Sequence, residues 1–339
     1  MFRFYEYNNL QIKQRSNSKM LYQSYLETLH LYNLQYRYKM LWQKHKSGYE
    51  LLAKENLKTK KREYLGRRDK NTEEIANAFR KNKQEIKERL KNLKEQLKRD
   101  QKLNKIENIT RAPKELVAIL RKINELDLDK KLIVIGTNSL YAYEARAGIM
   151  IEEEHLATRD IDILNRKDKK VSFMFNLIND SKLAIDLLQS IDKSFYQSPK
   201  APYRFINKDG IWVELITSSS VKKDKFLTDV IELEIDGLQW LENARLFSET
   251  IIGDDGKSAN LTTIHPLEFA IYKNWLSKQK DRDFIKHTRD KEQSRLVTKI
   301  IVDYMPNIDI TQELDEIKHI PKNLIDSYKN EILKEFNLD

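Results

Sequence analysis

The residues with the clearest chemical potential are Asp160-Ile161-Asp162-Ile163, because a strand's side-chain period of two puts both carboxylates on one face and both isoleucines on the other. Two like charges side by side at a buried sheet edge repel unless a cation lies between them. Magnesium suits such a pair, since it takes oxygen ligands, keeps several waters and is completed by substrate phosphates. The plain alternative is a solvent-facing edge strand with two inert aspartates. A third acid comes from Ile211-Trp212-Val213-Glu214-Leu215-Ile216, where Glu214 interrupts an otherwise apolar strand. Burying it uncompensated would be costly, so a metal ligand or general base is expected there unless the side chain faces water. Upstream, Leu132-Ile133-Val134-Ile135 stops at Gly136-Thr137 and turns at once into a helical pattern. That junction offers unpaired N–H groups and a positive helix end to a phosphate, the glycine allows close approach, and the threonine hydroxyl adds a donor. Without the acids it would read as a turn and an N-cap. With them it reads as a site for phosphoryl transfer, in which two cations roughly 3.5–4 Å apart activate the attacking oxygen and stabilise the leaving pyrophosphate.

Strands must carry these groups and helices must frame them. Strands are expected at 132–135, 161–164, 203–207, 211–216 and near 230–235, with Lys208-Asp209-Gly210 closing a hairpin between the third and fourth. Pro113 fits the first position of a helix over 114–125. The stretch 148–158, with Glu152, Glu153 and Glu154, reads as a loop near the site. After Pro266 the pattern is helical, with Leu267, Ala270, Ile271 and Trp275 on one face and a terminal piece from Pro321 onward. Residues 14–107 read as helical almost throughout. Met20, Leu21, Tyr25, Leu29, Tyr32 and Tyr36 recur at spacings of three and four. A second helix starts at Asn71 or Thr72, with Asn71 and Glu74 as a capping box, and runs to about Leu103. Its Phe79, Ile86, Leu90, Leu93 and Leu97 make a seam for an antiparallel hairpin, broken at Lys83. The link between the helices carries Lys58, Lys60, Lys61, Arg62, Arg67, Arg68 and Lys70 around Gly66. It is a candidate phosphate-contacting patch or else a solvated turn.

The chain has 339 residues, 34% of them charged, with a net charge of +10. Residues 1–110 hold 27 Lys/Arg against 13 Asp/Glu, a balance of +14, and the remainder 35 against 39, a balance of −4. An N-terminal excess of this kind suits a polyanionic partner, although a solvated helical surface would look the same. The absence of cysteine excludes disulfides, thiolate nucleophiles and Cys-bound zinc, and the six histidines show no ligand spacing. The sequence has neither an apolar run of ~18 residues nor a basic-then-apolar leader, so no membrane span or signal peptide is expected, and the cytoplasm is the expected compartment.

Strand, Gly-Thr, helix, Asp-x-Asp strand and later acidic strand together resemble the polymerase-β-type nucleotidyltransferase superfamily. More closely, Gly136-Thr137-Asn138-Ser139-Leu140-Tyr141-Ala142-Tyr143-Glu144 with Ala157-Thr158-Arg159-Asp160-Ile161-Asp162 is similar to a bacterial nucleotidyltransferase-fold subfamily of unassigned substrate. The likeness continues through His265-Pro266 to Lys273, Trp275, Lys286, Arg289-Asp290 and Gln293. It departs from many relatives in Thr137 for a serine, in a longer spacer before Asp160, and in Glu214 for an aspartate. The resemblance implies an α+β fold: a small mixed nucleotidyltransferase sheet flanked by helices, with an N-terminal helical hairpin arm and a C-terminal helical region. Its boundaries would be a basic arm over 1–110, a core over 111–250 and a helical domain over 251–339. It implies that Gly136, Thr137, Asn138 and Lys273 hold the nucleotide, that Asp160, Asp162 and Glu214 hold Mg2+ or Mn2+, and that Asp290 orients nearby cations. The reaction would move NMP from an NTP to an acceptor hydroxyl. With the basic arm (Lys60, Lys61, Arg62, Arg67, Arg68), RNA such as a tRNA end is the first expected acceptor, and a toxin-like role under a protein regulator follows by analogy. A protein or small-molecule acceptor, and a non-catalytic nucleotide- or RNA-binding module, are the alternatives.

Overall fold

A computed structural model describes residues 2–57, 59–156, 158–166, 181–218, 231–233, 239–279 and 284–338. Lys58, Ala157 and the ends of the strand expected at 230–235 fall outside them. The chain opens with β1 (Phe4–Glu6) and α1 (Asn9–Leu31). Asn8 caps α1 by accepting from the Gln11 N–H while Gln11 returns a bond to the Asn8 N–H. Tyr22, Tyr25 and Leu26 of α1, with Leu21 and Leu29, pack on Ile86, Leu90, Leu93 and Leu97 of α2 (Lys70–Ile106), which forms the expected antiparallel seam. The buried face is rotated from the expected one: Tyr22 is fully buried and Met20 is exposed. Lys83 is accommodated in the seam by donating to the Tyr38 carbonyl.

Between these helices the expectation of helix and loop is overturned. Residues there form an antiparallel sheet of β2 (Tyr38–Lys44), β3 (Glu50–Asn56) and β4 (Arg62–Arg67). Turns closed at His45–Tyr49 and Asn56–Lys61 stop the helical period on either side of β3. α2 is capped at Asp69 rather than Asn71, and the Thr72 hydroxyl that answers this cap also reaches the Arg67 carbonyl, tying the end of β4 to the helix start.

The core begins with α3 (Lys114–Glu125), capped at Pro113, and β5 (Leu132–Ile135), buried at every position. Then come α4 (Leu140–Ala147), β6 (Ile149–Ile151), which pairs with β1, α5 (Glu153–Leu156) and β7 (Asp160–Asn165). The loop expected over 148–158 thus holds a strand and a helical turn. After α6 (Ser181–Gln189) come β8 (Tyr196–Ser198), β9 (Ala201–Ile206), β10 (Trp212–Ser218) and β11 (Ile231–Leu233). The sheet has the order β5-β7-β10-β9-β8, with β11 beside β10. It is mixed: β7 and β10 run parallel and the other pairs on that path antiparallel. A further hairpin, β12 (Leu246–Ile252) with β13 (Ser258–Ile264), packs beside β5 and α3 and straddles residue 250. The helices α7 (Pro266–Leu276), α8 (Phe284–Tyr304), α9 (Ile310–Glu316) and α10 (Lys322–Glu331) close the chain. Tyr143 joins the layers, its buried ring edge-on to Phe247 and Phe269 and its hydroxyl donating to the Ile264 carbonyl.

The arm meets the core through a buried polar joint. Gln14 Nε2 donates to Asp100 Oδ1 and Asn104 Oδ1, both at 2.8 Å, and Ser18 Oγ donates to Asp100 Oδ1 at 2.9 Å. Asn104 Nδ2 donates to the Gly256 carbonyl at 3.0 Å, and Gln101 Nε2 to the Asp255 carbonyl at 2.8 Å. Gly256 has φ of +84°, and a Cβ there would stand 2.3 Å from the Gln101 carbonyl oxygen. Backbone cannot yield as a side chain can, so Gly256→Ala should lower stability by at least about 2 kcal/mol. The expected readout is a lower urea midpoint with early proteolysis near residue 256; an unchanged midpoint would show that the arm does not dock this tightly.

Candidate active site

One row of side chains crosses four strands. Ile135 of β5 pairs with Asp162 of β7, Asp162 with Glu214 of β10, and Glu214 with Arg204 of β9. Directly paired residues share a face with Cβ atoms about 4.5–5.5 Å apart, so Asp162 and Glu214 are neighbours by register, and Asp160 joins them two residues along. The intervening Ile161, Ile163 and Val213 are buried on the opposite face, which fixes the register.

Gly136 closes the row at the end of β5. Its φ is +76°, and a Cβ there would lie 2.6 Å from Asp162 Oδ2, so only glycine lets this carboxylate lie against the turn. The turn Thr137–Ser139 is buried. Asn138 Nδ2 donates to the Asp160 carbonyl at 2.7 Å, fastening the turn to β7, and Thr137 Oγ1 accepts from Gln293 Nε2 of α8 at 3.1 Å. The same Gln293 amide reaches the His155 carbonyl, which ties the segment after β6 to the turn. In that segment Glu152, Glu154 and His155 bring ligand atoms within 4.8 Å of one another, a grouping their sequence spacing did not suggest.

The electrostatics follow from this crowding. Burial pushes the Asp162 carboxyl up to about 7, with Glu214 and Asp160 adding to the rise and Lys273 and Lys286 opposing it. Glu214 Oε1 accepts from the Arg204 guanidinium at 2.7 Å, and that guanidinium stacks on the Trp212 ring at 4.1 Å. Arg204 escaped the sequence reading, although the turn at 208–210 places it directly opposite Glu214. Lys273, expected beside a triphosphate, is buried in α7, with Nζ donating to Asp290 Oδ1 of α8 at 2.6 Å. Its positive charge still bears on Asp162.

The basic patch lies on the arm sheet, away from this row. Lys60 and Lys61 are exposed at the β3–β4 turn, and Arg67 lies over the Tyr49 ring at 4.1 Å. Arg62 is paired with Glu55, and Arg68 with Glu50 and Glu73, so part of the patch's charge is already opposed.

A family model described as "Nucleotidyltransferase" matches residues 114–317, more than half of the chain. No curated protein and no solved structure matches it. No described helix is long and apolar enough to cross a membrane.

The raised Asp162 value carries a stability consequence. The folded state holds this proton more tightly than the unfolded chain does, so the contribution of Asp162 to stability is least unfavourable below about pH 4 and worsens as pH climbs towards 7, beyond which the full cost persists. At about 1.36 kcal/mol per unit the cost is at most about 4 kcal/mol. Asp162→Asn should therefore gain stability over wild type at pH 8 but not at pH 4, when divalent cations are absent. Thermal unfolding across this range with a chelator present checks it, and a gain independent of pH would remove the crowding argument.

Proposed function

The chain belongs to the nucleotidyltransferase family, and from that premise we propose that it moves NMP from an NTP to an acceptor hydroxyl of RNA, a tRNA end in particular. The observation supporting this most is the in-register row of Asp162 and Glu214, with Asp160 beside it, closed by Gly136. The donor set is all carboxylate oxygen, and without a counterion Asp162 retains a proton to about pH 7, which suits a hard divalent cation. Asp160, Asp162 and Glu214 would hold Mg2+, or Mn2+ in its place. When bound, the ion neutralises these acids and the phosphate oxygens.

The chain's own groups do the rest. The Gly136–Thr137 turn offers backbone N–H groups and a hydroxyl to the triphosphate, and Lys273 adds positive charge from behind the row. The acceptor oxygen bonds to the α-phosphorus as the bond from that phosphorus to the oxygen bridging the β-phosphate breaks, and pyrophosphate leaves. Both Arg204 contacts go to Glu214 Oε1, leaving Oε2 for a cation or for the proton of the attacking hydroxyl. The excess of +14 over residues 1–110, with Lys60, Lys61 and Arg67 exposed on the arm, favours RNA as the acceptor.

Incubation with each labelled NTP, magnesium and total RNA should label RNA. Asp160→Ala and Asp162→Asn should each reduce transfer on the order of 10²–10³-fold or more. Absence of label with every NTP sinks the reading, and label that survives RNase in a protein or small product reassigns the acceptor. Growth arrest on expression, relieved by Asp162→Asn, would place the activity among toxin–antitoxin systems.

A further inference from the structure

The long helix α2 carries a second basic feature, distinct from the patch at the arm's tip. Lys87, Lys91, Lys94, Lys98, Lys102 and Lys105 follow one another at spacings of three and four. At 3.6 residues per turn they fall within about 80° of the helix circumference and advance ~27 Å along its axis. All six are exposed, and none makes an ion pair among the described residues. On the arm sheet, by contrast, several cations are paired: Lys39 and Arg62 share Glu55, and Arg68 holds Glu50 and Glu73. The acids of the same stretch of α2 lie off the stripe. Asp100 is buried in the joint, where it accepts from Gln14 and Ser18, and Glu88 and Glu95 border the lysines.

We propose that this stripe is a docking rail for the phosphodiester backbone of RNA, engaging it without reading its sequence. The choice of RNA over another nucleic acid rests on the acceptor reading above; the rail itself rests on the charge pattern. Over ~27 Å one strand of a duplex presents about eight phosphates, enough to meet every lysine. Lysine is a point charge on a flexible stem and suits positional contact with phosphates rather than bidentate recognition of bases. A lipid surface fits poorly, because an interfacial helix needs a continuous exposed apolar face, and the apolar seam of α2 is packed on α1, leaving only the scattered Ile75, Leu103 and Ile106 exposed. The stripe occupies the half of α2 nearer the core, and its last members, Lys102 and Lys105, flank the joint at Gly256. Bound RNA would thus lie along the arm towards the catalytic domain.

The test uses the full chain and a fluorescein-labelled RNA hairpin, with affinity measured against salt concentration. The variant Lys87→Gln/Lys91→Gln/Lys94→Gln/Lys98→Gln keeps helix-favouring, exposed side chains. Each lost phosphate contact should lower the slope of log affinity against log salt by about 0.7–0.9, so a drop near 3 is expected. Arg89→Gln/Arg99→Gln, which removes charge from other sides of the same helix, should lower the slope by less than 1. Equal slopes in wild type and the fourfold variant, an equal drop in both variants, or no binding of the hairpin by wild type overturns the rail. If the fourfold variant loses slope as expected while wild type transfers no nucleotide, the rail stands and the transfer reading fails.

Discussion

Three carboxylates on one sheet face repel each other, and much of the structure around β7 and β10 serves to hold them there. Like charges about 5 Å apart at an effective dielectric near 20 oppose one another by about 3 kcal/mol. The register that imposes this is set on the other face, where Ile161, Ile163 and Val213 are buried and cannot change sides without exposing apolar surface. The repulsion is met from two directions: Arg204 leans across from β9, and Lys273 and Lys286 bear on Asp162 from the helices. Burial above all, with the remaining repulsion of Glu214 and Asp160 added to it, lets Asp162 keep a proton to about pH 7. Acids held close at a local cost fit the proposed cation site, because a bound cation would recover energy that the protein's own side chains leave unrecovered.

The arm is built on a different principle. Its seam is apolar along Tyr22, Tyr25, Leu90 and Leu93, which favours packing but leaves sliding along the axis weakly opposed. The joint of Gln14, Ser18, Asp100 and Asn104 supplies the missing specificity, since each bond is directional and a one-turn shift would leave buried polar atoms without partners. Fixing the base of the hairpin fixes the whole of α2, whose 37 residues span ~55 Å. The basic surfaces of the arm are thereby carried on an element whose base is fixed to the core at Gly256.

The strands of the acidic row were legible because burial and chemistry both leave marks on a period of two. β5 and α3 appear where the sequence placed them, and β7 and β10 within a few residues. Asp160, Asp162 and Glu214 stood out as acids in apolar runs; strand periodicity puts the two aspartates on one face, and the register of β7 with β10 adds Glu214 to it. The arm sheet was not legible. Its strands are only partly buried, charged residues break their alternation, and the helical rhythm of Leu29, Tyr32 and Tyr36 runs straight up to β2. The hairpin of β12 and β13 was missed for the opposite reason: nearly every position is buried on both faces, so no alternation survives to be read. The burial of Lys273 is a third case, since it is made tolerable by Asp290, 17 residues away and on another helix, and no local pattern reports that pairing.

That buried pair also bears on how the end of the chain relates to the site. A buried ion pair is weak evidence of stabilisation, because desolvating both charges offsets most of their attraction. Its placement is more informative than its energy. Lys273 and Asp290 join α7 to α8, and one turn of α8 further on Gln293 donates to Thr137 Oγ1. The Ser139 hydroxyl accepts from Thr263 of β13, and the Tyr143 hydroxyl donates to the carbonyl of Ile264 where that strand ends. The turn after Gly136 is therefore held on one side by β7 through Asn138 and on the other by groups drawn from beyond residue 250. The elements after that point form the back wall of the turn, and α8 bears on it through the bond from Gln293 to the hydroxyl of Thr137.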